Sequence, residues 1–360
     1  VDSSAAALIL RDQGHEVAGL TFELWDSEDG TCGTKNDVRD AAEVCRVLGI
    51  PHFVVDFRKE FRQQVMERFV QDYRHGLTPN PCVDCNRTIK FAAFADKAKE
   101  LGAQGVQMYV TEGDMFYKNL TDERIEQAKR ELADRGLVVS AVCGDFGGHG
   151  FESEAENEWK IPASKLVADL AVRFGAPVVT THIGVVPEDN TCETYQRMKK
   201  ACRELGDYAV SVGVTFAIET GPEKPETLAA FIRDVGSKGI GVNLDPANLV
   251  MVTGCDPVAA VYTLKDFIVH THAKDGVMRQ QPDPRKVYDF FAEGGIGDLR
   301  LDDYFKELPL GDGDVPFDKY LDALEDIGYT GFLTVERECG ADPYADIKKA
   351  VDYLKSNING

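Results

Sequence analysis

The chain has 360 residues, 43% hydrophobic and 28% charged, a globular composition that excludes wholesale disorder. Its 61 Asp and Glu against 40 Lys and Arg give a net charge of −21, which argues against a surface built to hold duplex DNA by its phosphates. No run approaches the ~18 apolar residues of a membrane helix. The opening Val1-Asp2-Ser3-Ser4 carries no secretory pattern, and nine cysteines, an odd number, fit reduced thiols in the cytoplasm better than a disulfide framework.

The length corresponds to about two domains, or one barrel with an extension. Charge divides the chain unevenly. Residues 1–103 carry 13 Lys and Arg against 17 Asp and Glu, whereas 104–360 carry 27 against 44. This places a seam near residue 103, with no Pro/Gly/Ser linker.

In chain order, the patterns predict a helix over Ala5–Gln13, a strand over Val17–Leu24, an amphipathic helix over Lys35–Leu48, a strand over His52–Phe57 and a helix over Phe61–His75. A Cys-x-x-Cys follows at Cys82 and Cys85. By spacing it is half a zinc site or a redox pair. No second Cys-x-x-Cys supplies the four ligands of a structural zinc, so metal is not expected there. The stretch from Gly76 to Phe91 resembles tRNA-specific 2-thiouridylases, which are PP-loop ATP pyrophosphatases, and the resemblance covers most of residues 1–103. It implies ATP-dependent sulfur transfer to a tRNA uridine, with Cys85 matching the catalytic cysteine and Asp2, Ser3 and Ser4 the remnant of the ATP phosphate loop. That loop reads Ser-Gly-Gly-x-Asp-Ser in the family, and its glycines are not in this chain. The family's later segments are replaced by a different pattern. The expectation for 1–90 is therefore an N-terminally truncated, partial Rossmann-like PP-loop α/β unit. Neither ATP nor tRNA is expected to bind unless a partner chain completes the site.

A helix over Phe91–Leu101, stopped by Gly102, spans the seam. Beyond it lie seven apolar runs: Gly105–Thr111, Leu137–Cys143, Pro177–Ile183, Val214–Glu219, Ile240–Asp245, Phe267–His272 and Gly331–Glu336. Helical patterns such as Asp122–Arg135, Ser164–Phe174, Glu193–Val212 and Pro225–Val235 separate them. Buried strands alternating with helices predict an α/β fold over 91–360, a (β/α)8 TIM-type barrel lacking its own first strand, with helix 91–102 shared at the junction. Three outcomes follow. A strand such as His52–Phe57 closes the barrel, or the barrel stays open with two exposed edges, or the fusion of two fragments is non-catalytic. Apolar patches at an incomplete barrel would favour a homo-oligomer.

Glu219, Asp245, His272 and Glu336 each end an apolar run. In a parallel barrel those ends share one mouth. Two Glu, one Asp and one His form a mixed oxygen and nitrogen set that suits Mn, Mg, Co or Zn. The motifs Ala217-Ile218-Glu219-Thr220, Asn243-Leu244-Asp245-Pro246-Ala247-Asn248, His270-Thr271-His272-Ala273-Lys274-Asp275 and Thr334-Val335-Glu336-Arg337-Glu338, with Thr180-Thr181-His182-Ile183-Gly184, resemble the sugar phosphate isomerase/epimerase family, the xylose-isomerase-like TIM barrels. The resemblance runs from about Ala95 to the C-terminus. It implies a divalent metal held by Glu219, Asp245, His272 and Glu336. His272 rather than His270 matches the ligand, because it stands three residues before Asp275; His270 shares its strand face and could lie one layer deeper.

The implied chemistry is isomerisation or epimerisation of a sugar or sugar phosphate, with Glu219 and Glu336 moving a proton beside a carbonyl through an enediolate. Dehydration of a polyol begins the same way. His182 and Lys274 are candidates for substrate oxygens, and Arg279 for a phosphate. The loop Gly144–Gly150 is read as mobile near substrate or as a plain turn, and Pro309–Asp314 as shaping the mouth, a poor phosphate cradle because of its aspartates. Apurinic-site endonucleases share this barrel, but they carry a histidine where Asn248 stands, so DNA is not an expected partner. The alternative function is the thiouridylase reading.

Overall fold

The computed structural model describes residues 4, 7–8, 11, 17, 19–24, 35–76, 91–112, 115–297, 299–338, 340 and 342–358. Two compact units divide it: Val1–Lys97 with Cys339–Pro343, and Ala98–Glu338 with Tyr344–Gly360.

In the first unit, strand β1 (Gly19–Glu23) and strand β2 (His52–Asp56) pair in parallel, Gly19 opposite His52 and Glu23 opposite Asp56. Helix α1 (Lys35–Leu48) connects them. A helical run over 58–74 (α2) follows β2, with one wider π turn at Arg62–Met66. Leu24 and Val65 are buried together against Phe57 and Phe61. Ser4 is helical, while Asp2, Ser3, Cys82 and Cys85 lie outside the described residues. Helix α3 (Phe91–Leu101) begins in the first unit and ends in the second.

The second unit contains all seven expected strands, in one parallel sheet: β3 (Gly105–Tyr109), β4 (Val138–Cys143), β5 (Val178–Thr181), β6 (Thr215–Glu219), β7 (Ile240–Leu244), β8 (Ile268–Ala273) and, at the far end, β11 (Leu333–Val335). The interposed helices are α4 (Asp122–Ala133), α5 (Glu154–Phe174), α6 (Glu193–Val212), α7 (Pro225–Val235), α8 (Pro257–Leu264), α9 (Pro284–Glu293) and α10 (Phe317–Asp326), and α11 (Pro343–Ile358) closes the chain. Small and branched residues, Ala141, Val178 and Ala217 with Val269, fill part of the core between strands.

The parallel α/β barrel is nearly closed. No ladder joins β3 to β11 among the described residues. Of the three outcomes left open by the sequence, closure by His52–Phe57 is not the one found: His52–Asp56 pairs with β1 in its own two-stranded sheet. At the seam a side chain stands in place of backbone. A Cβ on Gly105 would come within 2.9 Å of the Phe332 ring, so glycine there admits the ring against the strand.

Two features depart from the sequence pattern. An antiparallel pair, β9 (Asp275–Met278) with β10 (Phe305–Leu308), extends the chain beyond β8. Helix α5 starts ten residues before the expected Ser164, because Ser153 caps it through Glu156 N–H and its buried face, including Val167 and Ala171, carries it through Pro162.

Candidate metal centre

The four strand-end residues converge. One donor atom from each of Glu219, Asp245, His272 and Glu336 lies within 4.8 Å of all the others. His272 Nδ1 is 3.6 Å from Glu219 Oε1, 3.3 Å from Asp245 Oδ2 and 3.2 Å from Glu336 Oε2. Donors bound ~2.0–2.6 Å from one ion stand about 3 Å or a little more apart, so the spacing fits a small divalent cation. The donor chemistry fits too. Three carboxylates this close repel unless a proton or a cation stands among them. Burial disfavours charge on His272, yet Glu336 and Glu219 hold its imidazole protonated, its pKa well above the usual value. A divalent cation would take the place of that proton.

Neighbouring strands aim the ligands. Gln107 on β3 donates from its amide to Thr180 Oγ1 at 3.2 Å, which turns its carbonyl oxygen toward His272 Nε2 at 3.1 Å. Asn243 Nδ2 also stands 3.1 Å from Nε2, so that nitrogen is engaged on one side of the ring and Nδ1 faces the carboxylates, the arrangement a metal-ligating imidazole needs. His270 lies one layer deeper, as the alternation predicts. Burial pushes its pKa down to about 3, so it is neutral. It bonds Asn243 Oδ1 at 2.9 Å and Thr334 Oγ1 at 3.0 Å. Asn243 in turn donates to Glu219 Oε2 at 3.1 Å. Asn248 donates its amide to Glu219 Oε1 at 3.2 Å and its backbone N–H to Asp245 Oδ1 at 2.9 Å.

Lys274 is almost fully buried and donates to Glu336 Oε2 at 3.0 Å and Glu338 Oε2 at 2.6 Å. Burial would raise the Glu336 carboxyl, but His272 and Lys274 hold it well below the usual range, so it is ionised. His182 is anchored by Asp145, Nδ1 to Oδ2 at 2.9 Å, and its Nε2 stands 3.7 Å from Glu219 Oε1. Burial pulls its pKa down, but Glu219 and Asp145 outweigh this and push it up to about 10.

Arg279 does not join this group. It is exposed, with its guanidinium on the carbonyl oxygen of Asp302 at 2.7 Å. The glycine-rich loop 309–314 is already filled by a carboxylate. Asp275 accepts from the N–H groups of Gly311, Gly313 and Val315 at 2.9–3.2 Å, and a Cβ on Gly313 would collide with its Oδ1. In the loop Gly144–Gly150, Lys160 Nζ donates to the carbonyl oxygens of Gly147 and Gly150 at 2.8 and 3.0 Å.

Sequence reasoning missed Gln107, Asn243 and Asp145 as supports. Asn243 stands two residues before Asp245, on the same strand face, and period-2 alternation offered that signal. It also missed Glu223, whose Oε2 is buried with no hydrogen-bond partner among the described residues. Burial pushes that carboxyl up to about 8.

The tRNA methyl transferase HUP domain matches residues 1–138, overlapping the junction helix. A tRNA-specific 2-thiouridylase from Chloroflexus aggregans is 47% identical over 111 residues, 29% of this chain and 31% of the relative. The chain spans about a third to a half of the length of the curated relatives it matches. Among solved structures, a xylose isomerase domain protein from Planctomyces limnophilus superposes with a TM-score of 0.61 at 25% identity, covering 74% of this chain and 93% of that one. A xylose isomerase-like TIM barrel protein from Mycobacterium smegmatis in complex with magnesium (TM-score 0.58, 22% identity, 74% and 88% covered) and a D-tagatose 3-epimerase-like protein (0.56, 20%, 73% and 91%) share the fold. The xylose isomerase-like TIM barrel family matches residues 95–357, and the chain belongs to that family.

Proposed function

We propose that the barrel is a divalent-metal-dependent sugar isomerase or epimerase. The observation that carries this reading is the convergence of Glu219, Asp245, His272 and Glu336 at the ends of four adjoining strands. A cation bound there would polarise the substrate carbonyl and acidify the neighbouring C–H. The protein's own groups would do the rest. Burial raises the Glu219 carboxyl, but His272 and His182 hold it below its usual value, so it is ionised like Glu336 and able to accept a proton. One of these two carboxylates removes the proton, an enediolate forms, and a carboxylate returns the proton to the other carbon or the other face. His182, held protonated and aimed by Asp145, suits a substrate oxygen that gains charge on the way. Lys274 acts through Glu336, whose charge and orientation it holds. The family resemblance and the magnesium-bound and epimerase-like structures of the same fold support the reading.

Metal analysis of the purified chain tests it, together with exchange of substrate C–H for solvent deuterium across a panel of ketoses and aldoses. Retained Mn or Mg, lost in His272→Ala and Glu219→Gln, is the expected result. No retained metal and no exchange would overturn the reading.

The 47% match favours a second reading for the first unit: ATP-dependent sulfur transfer to tRNA with Cys85 as nucleophile. ATP–pyrophosphate exchange and tRNA binding by the full chain test that one, and absence of both removes it.

A further inference from the structure

Beside the metal centre the barrel unit opens a cavity of about 500 Å³. That is the size of sites that enclose drug-sized ligands, about 300–1,000 Å³, and a single sugar ring would leave much of it empty. Its wall is aromatic. Tyr117 and Phe146 meet edge to face at 5.7 Å between ring centroids, and Phe146 and Trp159 at 5.5 Å. Trp159 is 48% exposed, and Lys160 Nζ stands over its ring at 5.7 Å. T-shaped contacts of this kind hold rings upright, so successive faces and edges are presented to whatever enters.

The cavity and the metal centre share groups. Asp145 lines the cavity and also fixes His182 Nδ1 at 2.9 Å, while the other nitrogen of His182 stands 3.7 Å from Glu219. Tyr109 lines it too, at the end of β3, the strand whose Gln107 reaches His272. A ligand reaching from the carboxylates past Tyr109 and Asp145 therefore arrives against Trp159. Among the described residues the charges at the wall are already matched: Lys118 leans over the Tyr117 ring at 5.6 Å, Lys160 stands over the Trp159 ring at 5.7 Å and is bonded to Glu156 and the Gly147 carbonyl, and Asp145 and Glu112 are acidic. No cation is left to draw an anionic extension such as a phosphate, and a neutral ring suits the wall.

We infer that the barrel takes reducing disaccharides, sugars that carry a second ring on a hydroxyl away from the carbonyl carbon, with the reducing unit at the carboxylate cluster and the second ring against Phe146 and Trp159. The inference rests on the proposed function, because it places the reacting ring at the metal centre.

The chain has two tryptophans, so Trp25→Phe leaves Trp159 as the only one and its fluorescence reports the cavity. In the Mn-loaded full chain, reducing disaccharides (maltose, cellobiose, lactose and their ketose isomers) are titrated against the free monosaccharides. The methyl glycosides of the same disaccharides, which have no free carbonyl, form a further arm that separates second-ring binding from placement of the carbonyl. The expected result is at least one reducing disaccharide binding tenfold or more tighter than its free monosaccharides, with quenching of Trp159. Phe146→Ala, read by calorimetry, should erase the tenfold preference while changing free-sugar and Mn affinities less than twofold. Equal affinity for disaccharides and free monosaccharides across the panel, or an equal loss for both in Phe146→Ala, would overturn it. Mn titration of the same protein keeps the two readings apart. Metal bound without disaccharide preference sinks this inference alone, whereas no metal bound sinks the proposed function.

Discussion

The two units hold their polar groups in opposite ways. In the first, most described ion pairs are local: Arg46 reaches Glu43 three residues away, with both side chains more than half exposed, and Arg58 reaches back to Asp56, with a longer reach to Glu23 at 3.7 Å. Such pairs are worth little, because water competes for each partner. In the barrel, polar side chains from four different strands, all but Gln107 buried, complete one another. His270, Asn243, Glu219, Gln107 and His272 form one connected set, and losing any partner leaves a buried group unsatisfied. The contrast extends to packing. A two-stranded sheet with one small cluster is marginal by itself, whereas a seven-stranded sheet covered by helices is not. The barrel's site is therefore over-determined by its neighbours, and the first unit depends on few contacts.

The sharpest way to break this contrast is to remove a ligand. His272→Ala should reduce Mn affinity by more than the roughly 100-fold that loss of a supporting partner costs, measured by calorimetry, with the thermal transition of the first unit unchanged. An unchanged affinity would show that the cluster is merely structural. Glu223→Gln addresses burial within the barrel. Its folded carboxyl titrates near 8 and its ordinary value is 4.5, so between these pH values the folded chain holds one extra proton. Stability contributed by this group therefore falls as pH rises through that window and is lowest above about 8. The variant should be more stable than the parent by on the order of 3 kcal/mol at pH 9, with little difference at pH 4.5, in urea unfolding at both pH values. A pH-independent difference would mean that the carboxyl is not held neutral.

Gln107→Leu leaves the ligands in place but removes the oxygen that fixes the His272 ring. Mn affinity should fall about 10–100-fold. Smallest is Val65→Ala in the first unit, where a fully buried side chain is trimmed. About 1.5 kcal/mol of local stability should be lost, seen as faster amide exchange in β1 and β2, with Mn affinity unaltered. A drop in Mn affinity with Val65→Ala would join the two units and erase the distinction drawn between them.

Much of the barrel is legible in the chain. Runs such as Val138–Cys143 and Ile240–Leu244 are rich in branched residues and bounded by turns, and each forms a strand within a residue or two of its predicted limits. The four candidate ligands are legible because each ends such a run, and strand ends in a parallel barrel meet. The supports are not. Gln107 sits in an ordinary strand, 165 residues from the histidine it orients, and nothing local marks that pairing. The antiparallel pair of β9 and β10 escaped notice because 26 residues, including a helix, separate its strands. Proline at 162 hid the first half of α5, since local propensity argues for a break there and tertiary burial overrides it.

The sequence by itself determined seven buried strands, their order and the four residues at their ends, because hydrophobic period and strand direction are local properties. Only the tertiary structure decided that His52–Asp56 pairs with β1 instead of closing the barrel, that Nδ1 of His272 is the nitrogen facing the carboxylates, and that an aromatic cavity adjoins them. Those outcomes depend on register between strands and on which side chains meet across them, and distant residues settle both.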